Sequence, residues 1–254
     1  MALRLALLDL GGVVYVGDSP LPGAVAAVRR LRDAGFAVRF LTNTTRKPHA
    51  AVLADLRVMG LNVAADELFT PSLAARQVIT AHGYSPHLLV HPALRVDFDG
   101  LPEGGRRAVV VGDAGEYFTY DAMNAAFREL DDGAALLALA NNRSFRDADG
   151  ALSLDAGPYV AALTFASGVE PVVLGKPSGD FFGAALDSAG CAADEAFMVG
   201  DDVENDIGGA LAVGLSGVLV RTGKYRPGDE GTIDPPPTAV VDDLAAAVNW
   251  ALGG

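Results

Sequence analysis

Four short stretches of this 254-residue chain carry residues that could do chemistry together. Asp9 closes the apolar run Leu5–Leu8, and glycines stand at 11 and 12 just beyond it. Thr42, Asn43 and Thr44 follow the run Phe36–Leu41, and Lys176 follows Val172–Leu174 in VVLGKPS. Asp201, Asp202 and Asp206 sit in GDDVENDIGGA, directly after Ala196–Val199. Converged, these residues would supply an attacking carboxylate, hydroxyl and backbone N–H donors for phosphate oxygens, an ammonium, and acids able to hold Mg²⁺. That is equipment for phosphoryl transfer. A carboxylate and a phosphate repel each other, so attack needs both Mg²⁺ and Lys176 to offset the charge.

Each stretch alone has a plainer reading. Thr42-Asn43 could cap a helix. Asp201, Asp202 and Asp206 could be first-turn acids stabilised by a helix dipole. Gly175-Lys176 fails as a P-loop, because Glu170 stands where the earlier glycine belongs and Pro177 follows the lysine. A second Val-Gly-Asp at 111–113 has Phe118 where an acid should follow, and is a coincidence of sequence. His82, His87 and His91 straddle a turn and a strand, a poor arrangement for zinc. Cys191 reads as a small buried apolar residue.

The elements that must position these residues alternate. Strand-like runs are expected near 5–9, 36–41, 88–90, 108–111, 134–140, 171–174, 196–199, 216–220 and 239–241. Helical spacing appears at 22–35, 46–60, 71–83, 121–130, 158–167, 179–189, 206–213 and 243–252. Such alternation predicts an α/β fold on a doubly wound, Rossmann-like parallel sheet. A parallel sheet would bring all four chemical stretches to one edge, where open α/β sheets bind ligands.

Composition narrows the partners. A net charge of −13 argues against nucleic acid and anionic membrane surfaces, because the summed field repels polyanions. With one cysteine no intrachain disulfide forms. No apolar stretch is long enough to span a bilayer, and Arg4 and Asp9 interrupt any signal-peptide core. The expected location is cytoplasmic.

In this order, LLDLGG, FLTN, LGKPS and GDDVEND resemble the motifs of the haloacid-dehalogenase superfamily. The similarity extends to FLTNTTRK, GDAGEYFTYDAMNAAF, DAGPYVAAL and VRTGKYRPGDE, and so covers nearly the whole chain. It implies a core domain, residues 1–72 and 173–254, with an inserted α/β cap domain at 73–172. The stretch between Asn43 and Lys176 agrees, being far longer than the ~30 residues of a βαβ crossover. The resemblance makes Asp9 the nucleophile that becomes aspartyl-phosphate. It gives Mg²⁺ the ligands Asp9, the Gly11 carbonyl and Asp201, with Asp206 acting through water or a neighbouring contact. Thr42, Asn43, Thr44 and Lys176 would hold the phosphate of a small substrate. Caps of this type often pair two chains, so a homodimer is an expected form.

One position departs from the pattern. Most phosphatases of the superfamily have Asp where Gly11 stands, and use it to protonate the leaving group. A subgroup lacks that acid too, typically having Ser. The metal need not suffer, since a carbonyl ligand belongs to the backbone, but proton transfer is worth ~100- to 10,000-fold. The expected activity is therefore hydrolysis of P–N, pyrophosphate or aryl phosphate bonds, whose leaving groups need little protonation. The alternative is a catalytically weak or inactive phosphate-binding or protein-interaction member of the same fold. A phosphonatase would need a cap lysine, and the three lysines, Lys47, Lys176 and Lys224, all lie outside 73–172. A phosphomutase would need the acid missing at position 11. Asn141, Asn142, Arg143, Asp155 and Tyr159 are candidates to face the substrate from the cap, or equally to make its turns. Lys176→Ala is expected to weaken phosphate binding without large destabilisation.

Overall fold

The computed structural model describes residues 2–101, 103–146 and 151–253. The chain divides into two compact units, Met1–Thr42 with Leu53–Phe69 and Lys176–Gly254, and Asn43–Val52 with Thr70–Gly175.

The first unit starts with β1 (Leu5–Asp9), whose five residues LALLD are all buried, as a central strand covered on both faces must be. A hairpin of β2 (Tyr15–Val16) and β3 (Ser19–Pro20) follows, then α1 (Ala24–Asp33) and β4 (Ala37–Leu41). Helix α2 (His49–Val58) leads to the short β5 (Leu68–Phe69).

The second unit runs α3 (Pro71–His82), β6 (Ser85–Leu89), β7 (Arg107–Val111), α4 (Tyr120–Asp131) and β8 (Ala135–Ala138). It continues with an antiparallel pair, β9 (Ser144–Arg146) and β10 (Leu152–Leu154), then α5 (Ala156–Ser167) and β11 (Val172–Val173). The chain then returns to the first unit through α6 (Gly179–Ala189), β12 (Ala196–Gly200), a π-helical turn (Val203–Gly208), α7 (Gly209–Ala212), β13 (Ser216–Val220), β14 (Ala239–Val241) and α8 (Leu244–Ala251).

The first unit's sheet has the order β14-β13-β12-β1-β4-β5, with every neighbouring pair parallel. Helix α1 packs beside α8 and α6 beside α7, the layered arrangement a doubly wound sheet requires. The second unit has its own parallel sheet, β11-β8-β7-β6. Two apolar clusters form its interior, one around Ile79, Leu94 and Val110 and the other around Val109, Leu136 and Val160.

The predicted α/β alternation is present, with one correction that bears on the site. The run before Lys176 does not end a strand of the first unit's sheet. Val172 and Val173 pair with Leu137 and Ala138, so β11 is an edge of the second sheet. A short apolar run reports that a strand is buried, but nothing in it says which sheet it joins. The expected helix at 46–60 begins at His49, directly after Pro48, whose ring disfavours helical backbone at Lys47. Among the described residues, no helix is long and apolar enough to cross a membrane.

Candidate active site

Strand register assembles the site at the carboxyl edge of the first unit's sheet. Asp9 stands opposite Leu41 of β4, and Leu8 opposite Val199 of β12. The residues that continue each strand therefore meet: Asp9, Thr42 and Asp201. Thr42 is buried, and its N–H donates to the Phe69 carbonyl at 3.1 Å. Asn43 and Thr44 follow it and are grouped with the second unit. There, Asn43 packs so closely on Gly175, the residue before Lys176, that a Cβ added at Gly175 would lie 2.6 Å from Asn43 Oδ1.

Asp9, Asp201 and Asp206 each offer a carboxylate oxygen within 4.8 Å of the others, and all three are buried. Lys176 enters this cluster from the returning chain rather than from a strand end. It is 3% exposed, ion-pairs with Asp9, and stands 2.6 Å from Asp206 Oδ1. Its ammonium also reaches the Leu41 carbonyl at 3.5 Å.

The backbone after β12 aims Asp206 at the cluster. Asp202 caps the π-helical turn, accepting the Asn205 N–H on Oδ1 at 3.0 Å. The Asp202 carbonyl takes both the Asp206 N–H at 2.9 Å and the Ile207 N–H at 3.3 Å, which widens the turn by one residue. Asp206 Oδ2 in return accepts the Asp202 N–H at 3.1 Å. Gly200 makes room, since a Cβ there would fall 2.2 Å from that of Asp206.

Asp201 is held by residues that the sequence patterns do not single out. Gly12 and Gly223, with φ of +83° and +60°, flank its carboxylate. An added Cβ would come within 2.0 Å of Asp201 Oδ2 from Gly12 and 1.8 Å from Gly223. The Lys224 N–H donates to the same oxygen at 2.7 Å, and the Thr222 hydroxyl donates to the Gly12 carbonyl, joining the two loops. Paired glycines after Asp9 and the stretch RTGK are the available signals. Gly11 is different. It is exposed, its φ lies outside the left-handed region, and a Cβ there would meet nothing within 4 Å.

The electrostatics follow from three buried carboxylates sharing one ammonium. Burial, then the charges of Asp9 and Asp206, push Asp201 up to about 8 against the pull of the Lys224 N–H. Burial also raises Asp206, to about 6; Lys176 works downward there, Asp9 and Asp202 upward. Burial acts against the charge of Lys176, but Asp206 and Asp9 outweigh it and its pKa rises. Fully ionised, the cluster carries two negative charges in excess, set in hard oxygen donors. That donor set fits a divalent cation.

The remaining candidates have structural work inside the second unit. Asp113 is buried and grips Arg46, with Nε to Oδ2 at 2.6 Å and Nη2 to Oδ1 at 3.3 Å, while its own N–H donates to Thr45 at 2.9 Å. It anchors the 43–52 segment. Asp155 caps α5 and accepts from Asn142 Nδ2 at 3.0 Å; the Arg143 carbonyl accepts the Asp155 N–H. Tyr159 stacks on Phe118 at 3.6 Å between ring centres. His82 stacks on Tyr84, His87 lies 3.8 Å from Glu129, and His91 accepts from the Ala93 N–H, so these histidines have separate partners.

Known proteins resemble this chain over nearly its whole length. Residues 6–118 match a family model described as haloacid dehalogenase-like hydrolase, and residues 173–247 match one described as HAD-hydrolase-like. The human haloacid dehalogenase-like hydrolase domain-containing protein 2 is 42% identical over 251 residues, covering 99% of this chain and 96% of that protein. The Danio rerio phospholysine phosphohistidine inorganic pyrophosphate phosphatase is 42% identical over 99% of this chain and 95% of its own length. Among solved structures, a 4-nitrophenylphosphatase from Thermotoga maritima superposes with a TM-score of 0.88 at 25% identity, covering 97% of each chain. A glycerol phosphate phosphatase from Mycobacterium tuberculosis, solved with magnesium, gives 0.83 at 27% identity over 96% of this chain and 76% of its own. With near-complete coverage at this identity, the chain belongs to the haloacid dehalogenase-like hydrolases.

Proposed function

We propose that this chain is a Mg²⁺-dependent phosphohydrolase acting on a small phosphorylated substrate through an aspartyl-phosphate on Asp9. The observation that carries the reading is the buried triad of Asp9, Asp201 and Asp206 with Lys176 set between Asp9 and Asp206. Asp9 attacks phosphorus, forming the Oδ–P bond as the bond to the leaving group breaks. Water then attacks the acyl phosphate, releasing inorganic phosphate and restoring the carboxylate. Lys176 and the donors of Thr42, Asn43 and Thr44 hold the phosphate oxygens, and residues 73–172 serve as the cap. Asp9, the Gly11 carbonyl and Asp201 would ligate Mg²⁺ directly, with Asp206 behind them. When bound, that ion supplies the positive charge that lets an anionic nucleophile approach an anionic phosphate.

Gly11 brings no acid to the leaving group, which favours P–N, pyrophosphate and aryl phosphate bonds. The names of the Danio rerio and Thermotoga maritima relatives point the same way. Acid-quenched protein, sampled during turnover of a radiolabelled aryl phosphate, should carry label on the Asp9 peptide, and chelation of Mg²⁺ should abolish it. Label on another residue, or turnover indifferent to chelation, overturns the mechanism.

Burial changes the expectation for Lys176. Its removal strands two buried carboxylates, an insult of ~3–5 kcal/mol when one partner of a buried pair is lost. Lys176→Met should therefore lower the melting temperature of the metal-free protein as well as weaken phosphate binding, and Mg²⁺ should recover part of the stability. Thermal melts with and without Mg²⁺ test this. An unchanged metal-free melt would show the ammonium to be dispensable for the fold.

The raised carboxyl groups give a pH dependence of definite sign. Asp201, moved from 3.8 to about 8, and Asp206, moved to about 6, bind protons more tightly folded than unfolded. Their stabilisation is complete below pH ~4 and is lost as pH rises toward 8. Lys176, with its pKa raised, contributes fully throughout that window. Mg²⁺ needs the ionised acids. The increase in melting temperature produced by a fixed Mg²⁺ concentration should therefore grow from about pH 5.5 to about pH 8. A flat or falling increment would mean the triad is not the metal site.

A further inference from the structure

We propose that Lys224 and Asp202 form a charge-balancing pair that sets how strongly the Asp9–Asp201–Asp206 triad binds its cation. The inference rests on the metal reading above and concerns two residues outside the proposed ligand set. A fourth carboxylate, that of Asp202, adjoins the triad in sequence but bonds to other partners. Asp202 Oδ1 caps the π-helical turn through the Asn205 N–H, and Oδ2 accepts from Asn205 Nδ2 at 3.0 Å and from the Lys224 ammonium at 3.1 Å. Lys224 spans both roles, because its backbone N–H holds Asp201 at 2.7 Å while its side chain cancels Asp202.

The charge count explains why such a pair matters. Fully ionised, as a bound cation requires, the four carboxylates and two ammonium groups gathered here leave two negative charges, the complement of a divalent ion. Without the Lys224 ammonium the excess becomes three, and without the Asp202 charge it becomes one. The pair is partly solvated, with Lys224 54% and Asp202 19% exposed at the side chain, so its field is screened and its effect moderate. A purely structural role makes the opposite forecast for Lys224. Loss of a supporting contact loosens the loop that holds Asp201, and cation affinity falls.

Mg²⁺ binding to the full-length protein, read by calorimetry and by the Mg²⁺-induced rise in melting temperature, separates the two. Lys224→Met keeps the backbone N–H and much of the side-chain length. It should tighten Mg²⁺ by about three- to tenfold at low salt, with the gain shrinking at high salt. Asp202→Asn, which can still accept the Asn205 N–H, should weaken Mg²⁺ by a similar factor. The double variant should return to within about twofold of the parent, and Lys224→Arg should match the parent. Weakening in both single variants, with the double variant weakest, overturns the charge-balancing role and leaves the pair a structural brace. A parent protein that binds no Mg²⁺ overturns the metal reading itself, and this inference with it.

Discussion

Asp9→Asn is expected to lower turnover by on the order of 10⁴-fold or more, the scale on which hydrolases lose activity when the nucleophile is removed. The protein should remain folded. The substitution keeps the shape of the side chain while replacing an anionic nucleophile by a neutral amide. It also removes one of three buried like charges, and Lys176 keeps its partner Asp206 at 2.6 Å. Asp201 loses a neighbour whose charge holds its pKa up, so that pKa should fall. The metal-free Asp9→Asn protein should thus melt at the same temperature as the parent or higher, the reverse of Lys176→Met. Mg²⁺ should stabilise it less, for want of one donor and one charge. Steady-state hydrolysis of an aryl phosphate, with circular dichroism melts in chelator and in Mg²⁺, covers all three expectations. Turnover retained within about tenfold of the parent would remove Asp9 from the mechanism.

Gly11→Asp is expected to speed hydrolysis of alkyl phosphates by up to ~100-fold, the lower end of general-acid effects, with a much smaller gain on aryl phosphates. Two structural facts remove the obvious objections. The backbone at Gly11 lies outside the left-handed region, so a side chain adds no strain of that kind. An added Cβ meets no atom within 4 Å, whereas the same addition at Gly12 would collide with Asp201. The glycine at position 12 is required by its surroundings; the one at position 11 is not. The measurement is a series of phosphate esters of graded leaving-group pKa, run on both proteins. The parent should show rates falling steeply as the leaving group becomes more basic, and the Gly11→Asp protein a shallower slope. A flat dependence in the parent would mean that another group already delivers the proton.

The candidate site residues are the most legible part of the sequence. Asp9, Thr42 and Asp201 each follow a buried run, and in a parallel sheet that alone brings them to a common edge. Lys176 is legible as a residue but not as a placement, because Val172–Val173 reads equally well in either of two parallel sheets. Pairing with Leu137 and Ala138 decides the matter, and no local pattern encodes it. The hairpin Tyr15–Val16/Ser19–Pro20 and the strands Leu68–Phe69 and Ser144–Arg146 are too short to show a period. The π-helical turn at Val203–Gly208 reads as an ordinary helix start, since hydrophobic spacing does not distinguish a turn widened by one residue. The glycine cradle around Asp201 is hidden for another reason. Gly12 and Gly223 acquire their meaning from each other across the sheet, and neither is unusual in its own stretch.

The central place of β1 also has a consequence for synthesis of the chain. Leu5–Leu8 pairs on one side with Ala37–Phe40, which leave the ribosome soon afterwards, and on the other with Ala196–Val199, which emerge only when most of the protein has been made. Until then this strand, buried along its whole length in the folded protein, has an open edge, the geometry that invites pairing with another chain. The second unit, complete by Gly175, can gather its own sheet during that interval. Closing β12 onto β1 is therefore a late, long-range step, slow by topology. The same step delivers Asp201 and Asp206 to Asp9, so a newly made chain gains its acid triad at the moment its first strand stops being a hazard.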